Sequence, residues 1–293
     1  MGYRLLILGV RVTKDKYSDV DSENCFSLIT AKMIQHFKRI SDVTIGFGDR
    51  VFDLDMIDDS WDFVLFIGYT KEGVVVRERV PKGKMLTLLE YPFPSADWSF
   101  CFLPTGIPNT TKFDAPVSKD MLVNVPKEKS IVIDHWWRPL GDDQKDWTLE
   151  ISDWLSSLKG EYKIYRMIRF GEEESKTVQP HEIPLTHTQY WKYLEQTNRA
   201  ETFVCTHTES YGYGIIDMVA RGIRAVVFPG ALNEELIQYF QLPTFNNCDE
   251  LLGLVRSPVE PRWNDMIHRC TDFSDIARII DVKCRDLLGL PWT

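Results

Sequence analysis

Long apolar runs are missing from this 293-residue chain. None approaches the ~18 residues that a membrane-spanning helix needs. The opening MGYRLLILGV turns polar too soon for a secretory signal and reads as a first strand. Cytoplasmic residence without membrane insertion is therefore the expectation. Cysteine pairing signals are missing as well. Cys25, Cys101, Cys205, Cys248, Cys270 and Cys284 are scattered without a CxxC pair, and several stand among apolar neighbours, which points to reduced core thiols. The six histidines show no HxxxH or HxH spacing, so no metal is expected. Basic charge is not in excess: 34 Lys and Arg face 43 Asp and Glu, a formal net charge of −9. That balance argues against nonspecific binding to nucleic acid or anionic membrane. Repeats with periods of 20–50 residues and low-complexity tracts are also absent.

What is present is an ordinary globular composition, 44% hydrophobic and 26% charged, in a chain long enough for two domains of about 130–160 residues. Apolar runs at Tyr3–Val10, Val43–Phe47, Phe63–Gly68, Met85–Leu89 and Phe100–Leu103 read as short strands. Their continuous rather than alternating character suits a parallel sheet covered on both faces. Cys25–Ile40 carries Phe26, Ile29, Met33, Phe37 and Ile40 on one helical face. Pro104–Lys129 has no period and reads as a linker. A second series follows: strands at Ser130–Asp134, Tyr162–Ile168, Thr202–Thr206 and Arg224–Phe228, with helices at Trp147–Leu158, Thr188–Thr197, Leu232–Phe240 and Cys248–Val255. Ile267–Leu288 closes the chain as one helical stripe. The expected domains are residues 1–128, 129–270 and a helical segment 271–293. The expected fold class is α/β, with two Rossmann-like doubly wound domains and a ligand cleft between them.

The richest stretch is Thr202–Pro229, TFVCTHTESYGYGIIDMVARGIRAVVFP. Two apolar ends bracket a polar, glycine-bearing turn and one short helix, with Glu209 ahead of the helix and Asp217 within it after seven intervening residues. A helix start offers unpaired N–H groups and partial positive charge, which suits a phosphate. Flanking carboxylates can hold hydroxyls on either side of a diphosphate. Together these features fit a nucleotide-sugar. Each also has a plainer reading. Glu209 and Asp217 can be a loop carboxylate and a solvent-facing helical residue. Arg138 can stack on Trp136 or Trp137, and Lys145 can be a solvated lysine in GDDQK.

The second half resembles the GT-B glycosyltransferases, in particular the retaining E-x7-E superfamily that includes glycogen and sucrose synthases. The resemblance rests on ETFVCTHTESYGYGIIDMVARGIRAVV and on SIVIDHWWRPLGDDQKDWTLEISDWL, about fifty residues together. It implies that Glu209 bonds donor sugar hydroxyls and Asp217 the ribose. It implies that Arg138 and Lys145 neutralise the departing diphosphate, and that Ser210, Tyr211, Gly212 and Tyr213 offer backbone groups at the helix start. Ile183, at the end of the preceding strand, would meet the base. Two departures stand out. Asp217 is one methylene shorter than the family's glutamate. The strand KMLTLLEYP ends in Glu90 and Tyr91 where many relatives carry a histidine, and His36 is the only histidine of the first half. Glu90 there can bind sugar or acceptor hydroxyls or act as a base as in inverting enzymes, which leaves inversion open beside retention. Gly9, Arg11 and Lys14, in and after the first strand, are candidates for donor or acceptor contact.

What the resemblance implies is a hexosyltransferase working with retention, with a UDP-sugar such as UDP-glucose favoured as co-substrate. It needs no other cofactor, and leaving-group charge is met by Arg and Lys rather than a metal. The acceptor is a saccharide, a lipid-linked or protein group, or a modified base in phage DNA; the small size fits a viral enzyme. The competing expectation is a non-catalytic nucleotide-sugar binder or partner subunit of the same fold.

Overall fold

A computed structural model of the chain describes residues 2–9, 25–47, 53–68, 70–89, 92–102, 106–122, 125–134, 147–168, 177–186, 190–209 and 212–291. The chain divides into two compact units, Met1–Ser118 with Thr271–Thr293, and Lys119–Cys270.

Unit 1 runs β1 (Tyr3–Gly9), α1 (Cys25–Phe37), β2 (Val43–Phe47), β3 (Phe63–Ile67), α2 (Thr70–Arg77), β4 (Met85–Leu88), β5 (Trp98–Cys101), β6 (Thr110–Lys112) and β7 (Ala115–Val117). Six of these strands form one parallel sheet in the order β2-β1-β3-β4-β5-β6. Every residue of β3 is buried, as befits a central strand covered on both faces. One side of the sheet packs Leu6, Leu8, Val64, Phe66 and Met85 with Val76 of α2 and with Phe93.

Unit 2 runs β8 (Glu128–Ile133), α3 (Thr148–Leu155), β9 (Lys163–Ile168), β10 (Ile183–Thr186), α4 (Tyr190–Thr197), β11 (Ala200–Cys205), α5 (Tyr213–Ala220), β12 (Arg224–Val227), α6 (Glu234–Phe240) and α7 (Cys248–Arg256). Its five strands are all parallel, in the order β10-β9-β8-β11-β12. Numbered from the unit's own first strand this is 3-2-1-4-5, the Rossmann order, and strand order reverses between β8 and β11. Ile131, Ile133, Val204 and Val226 of the sheet pack against Ile151 and Leu155 of α3 and Leu251 and Val255 of α7. Two such parallel, doubly wound units in one chain bear out the expected α/β class and its two Rossmann-like domains.

Three stretches differ from the sequence reading. The supposed linker carries β6 and β7. Strands of three residues are too short to show a period, and β6 is held from its neighbour's edge, with Ser99 N–H donating to Asn109 O (2.9 Å) and Phe113 N–H to Cys101 O (3.1 Å). A helix, α2, stands at Thr70–Arg77, where β-branched Val74, Val75 and Val76 hide helical character. The closing stripe is three pieces: 3-10 turns over Pro261–Arg269, β13 (Cys270–Asp272) and α8 (Phe273–Leu288). Asp272 interrupts it by capping α8, accepting from Ser274 N–H at 2.8 Å. Helix α8 packs on α1, and its polar anchors lie in unit 1: Tyr3 donates to Asp281 (2.7 Å), and buried Arg285 donates to both oxygens of Asp42 (2.7 and 3.0 Å). None of the described helices is long and apolar enough to cross a membrane.

Candidate functional site

The reversal point of unit 2 gathers the chemistry. In a doubly wound sheet the two strands flanking the reversal send their connections to opposite faces, leaving a crevice beyond their carboxyl ends. Asp134 follows β8 there, and Thr206, His207 and Glu209 follow β11. Asp134 and His207 are buried, and Glu209 is half-buried. One donor atom from each of Asp134, His207 and Glu209 lies within 4.8 Å of the other two, the one such group among the described residues. His207 Nε2 and Glu209 Oε1 are 3.0 Å apart.

Backbone bonds fix this cluster to the sheet. Asp134 N–H donates to Val204 O (3.1 Å), and Thr206 Oγ1 donates to Asp134 O. The Thr206 and Thr148 hydroxyls meet at 2.8 Å in the interior, and Trp147 N–H donates to Thr206 O at 2.7 Å. Glu209 N–H donates to Ala231 O (2.6 Å), so the loop holding Glu209 is pinned to the turn after β12. Stacked Trp147 and Phe228, centroids 4.5 Å apart, stand on the same side of the sheet ends. Beneath the cluster lies Cys205. Burial, reinforced by the Asp134 and Glu209 carboxylates, pushes its thiol well above the usual range, so it stays protonated.

Helix α5 starts four residues after Glu209. Gly212 is its N-cap, with φ +66°. A side chain there would be strained by that left-handed conformation, and its Cβ would lie 2.7 Å from Leu232 Cδ1. No acidic residue stands in the first turn of α5, and its N-cap is a glycine with no side chain to offer; a helix start of this kind suits an anion. Tyr213 is buried at that end.

Of the anticipated site residues, the structure brings Glu209, Gly212 and Tyr213 together around this turn. Asp217 lies on α5 but is fully buried, not solvent-facing as the plainer reading had it. Ile183 opens β10 rather than ending a strand. Register places it level with Tyr165 in β9, and Tyr165 level with Val132 in β8, so it sits below the sheet ends where Glu209 stands. Gly9 ends β1 of unit 1, and a Cβ on it would overlap the Thr30 side chain of α1. Close packing of helix on strand is the reason for glycine at that position. Arg138, Lys145, Glu90, Ser210, Tyr211, Arg11 and Lys14 lie outside the described residues.

Asp134 and His207 escaped the sequence reading. The signal for His207 was its H-x-E spacing to Glu209 at a strand exit, which a search for paired histidines passes over. Asp134 offered only its place as the first polar residue after a buried strand.

No protein-family model matches the chain, and no curated protein sequence does. Solved structures share its fold along nearly the whole length. AviGT4, a glycosyltransferase involved in avilamycin A biosynthesis, aligns with a TM-score of 0.61 and 12% identity over 99% of this chain and 100% of its own. Trehalose-6-phosphate synthase OtsA aligns at 0.60 and 9%, over 98% and 99%. The UDP-GlcNAc 2-epimerase of Neisseria meningitidis, solved with UDP-GlcNAc bound, aligns at 0.58 and 12%, over 98% and 99%. At such identities the likeness is one of fold: the chain has the GT-B fold of two Rossmann-like units.

Proposed function

We propose that the protein is a glycosyltransferase that moves a sugar from a nucleotide-diphosphate sugar, UDP-sugars favoured, to an acceptor hydroxyl with retention. The observation that supports this most is the placement of Glu209 and the glycine-started amino end of α5 together beyond the carboxyl ends of β8 and β11. That placement suits a diphosphate at the helix start and sugar hydroxyls on the Glu209 carboxylate. The reaction transfers the anomeric carbon from phosphate oxygen to acceptor oxygen. Charge grows on the departing diphosphate, and preorganised N–H groups lower the barrier by meeting it. Arg138 and Lys145 are proposed to supply the cationic share.

AviGT4 carries this class in its name and OtsA is a synthase of trehalose-6-phosphate, while the Neisseria neighbour is an epimerase solved with a nucleotide-sugar. The experiment is incubation of the full chain with UDP- and GDP-sugars, following free nucleotide and donor by NMR. Slow nucleotide release that is lost in Glu209→Gln supports the reading. Turnover unchanged by that substitution refutes it, and so does conversion of the donor to its epimer without nucleotide release.

One observation favours a second reading. With the Asp217 carboxylate sealed inside unit 2, a direct bond to donor ribose is not available from the described position. A non-catalytic nucleotide-sugar binder fits that burial. It is recognised by binding of donors without any turnover, across several acceptors.

A further inference from the structure

We propose that Asp134, His207 and Glu209 form a site for one divalent transition-metal cation. The inference does not rest on the donor reading, because the cation would bind the ligand-free chain. Three features carry it. The first is geometry. Donor atoms of the three side chains lie within 4.8 Å of one another, and the His207 Nε2 to Glu209 Oε1 separation is 3.0 Å. His207 Nε2 and Glu209 Oε1 are hydrogen-bonded to each other, and a cation with bonds of about 2.1 Å would replace that bond by holding both atoms about 3.0–3.4 Å apart.

The second feature is the donor chemistry. One imidazole nitrogen with two carboxylate oxygens suits zinc, manganese, cobalt or ferrous iron. It is too nitrogenous for calcium and lacks the sulfur that cuprous copper prefers. The third is preorganisation. Asp134 and His207 are held at adjacent strand ends by the Asp134 N–H to Val204 O and Thr206 to Asp134 O bonds. Glu209 is fixed through its backbone to Ala231. Little ordering is left for binding to impose. His207 is 2% exposed at its side chain and Glu209 19%, so the cation would be reached from the Glu209 side. Three protein ligands leave a position open there for an oxygen ligand, a sugar hydroxyl or phosphate among them.

The test uses the full chain, stripped with a chelator and titrated separately with Co²⁺, Mn²⁺ and Zn²⁺ by calorimetry, with visible absorption for cobalt. The expected result is one ion per chain. Asp134→Asn and His207→Gln should each weaken it by about 100-fold or more. His268→Gln, at an exposed position of the same unit, should leave it unchanged. Far-UV dichroism checks that each variant is folded, and if Asp134→Asn is not, His207→Gln alone decides. Failure of all three ions to bind at millimolar concentration overturns the site. So does binding that survives the loss of His207. Neither outcome decides the glycosyltransferase reading, which is tested separately by nucleotide release from the metal-free chain and its loss in Glu209→Gln.

Discussion

The two units are built alike and equipped differently. Both are parallel sheets whose strand order reverses once, between β1 and β3 in unit 1 and between β8 and β11 in unit 2. In unit 1 the described residues at the reversal are Gly9 and Gly68, and Gly9 is pressed so closely against Thr30 that no side chain fits. In unit 2 the reversal carries Asp134, His207 and Glu209, with the amino end of α5 just beyond. Among the described residues, the same topological position shows close packing at Gly9 in one unit and a polar cluster in the other. The fold alone does not say which; the side chains at the strand ends do.

The sharpest way to break this contrast is to exchange the kinds of damage. Glu209→Gln is expected to lower nucleotide release by about 100-fold or more, the scale of losing one group that stabilises a transition state, with the urea unfolding midpoint unchanged. Loss of stability without loss of rate in the folded fraction would place Glu209 in the scaffold instead. Gly9→Ala should do the reverse. Forcing a methyl into the Thr30 contact is expected to destabilise by about 1–3 kcal/mol, read by urea unfolding, with nucleotide-sugar affinity unaltered. Gly212→Ala sits between the two. Its left-handed backbone and its approach to Leu232 should reduce stability by about 1–2 kcal/mol and weaken donor binding as the start of α5 shifts.

Alkaline titration gives the smallest and most specific contrast. In unit 2, burial beside Arg221 lowers Lys127 to about 8, while its ammonium donates to Asn198 O and Arg221 O. Between pH 8 and its ordinary value of 10.5 the unfolded chain holds more protons at this site, so its contribution to stability rises with pH. In unit 1, burial pushes the Cys101 thiol up to about 11. Between pH 9 and 11 the folded chain keeps a proton that the unfolded chain has lost, so stability falls with pH. Comparing unfolding midpoints from pH 8 to 11 for Lys127→Met and Cys101→Ala with the parent chain isolates each slope. Lys127→Met should remove a rising component and Cys101→Ala a falling one; equal profiles would contradict both assignments.

Much of this architecture was legible in the sequence because parallel strands buried on both faces leave continuous apolar runs, as in FVLFI at β3 and RAVV at β12. The turn from Glu209 to Gly212 was legible for a related reason, since glycine before an apolar helix marks a special backbone. What escaped depended on contacts distant in sequence. Strands β6 and β7 are too short to leave a period. Asp272 as the cap of α8 competes with an apolar stripe that runs straight through it. The burial of Asp217 reflects α5 being covered around nearly its whole circumference, which a single helical period does not reveal. His207 joins Asp134 only once β8 and β11 lie side by side, 73 positions apart in the chain.

A crystal structure of the full chain with UDP bound is the most direct test of the central claim. The account predicts the diphosphate at the Gly212–Tyr213 end of α5, beyond the carboxyl ends of β8 and β11 and within reach of Glu209. Density for UDP anywhere else on the molecule would contradict it.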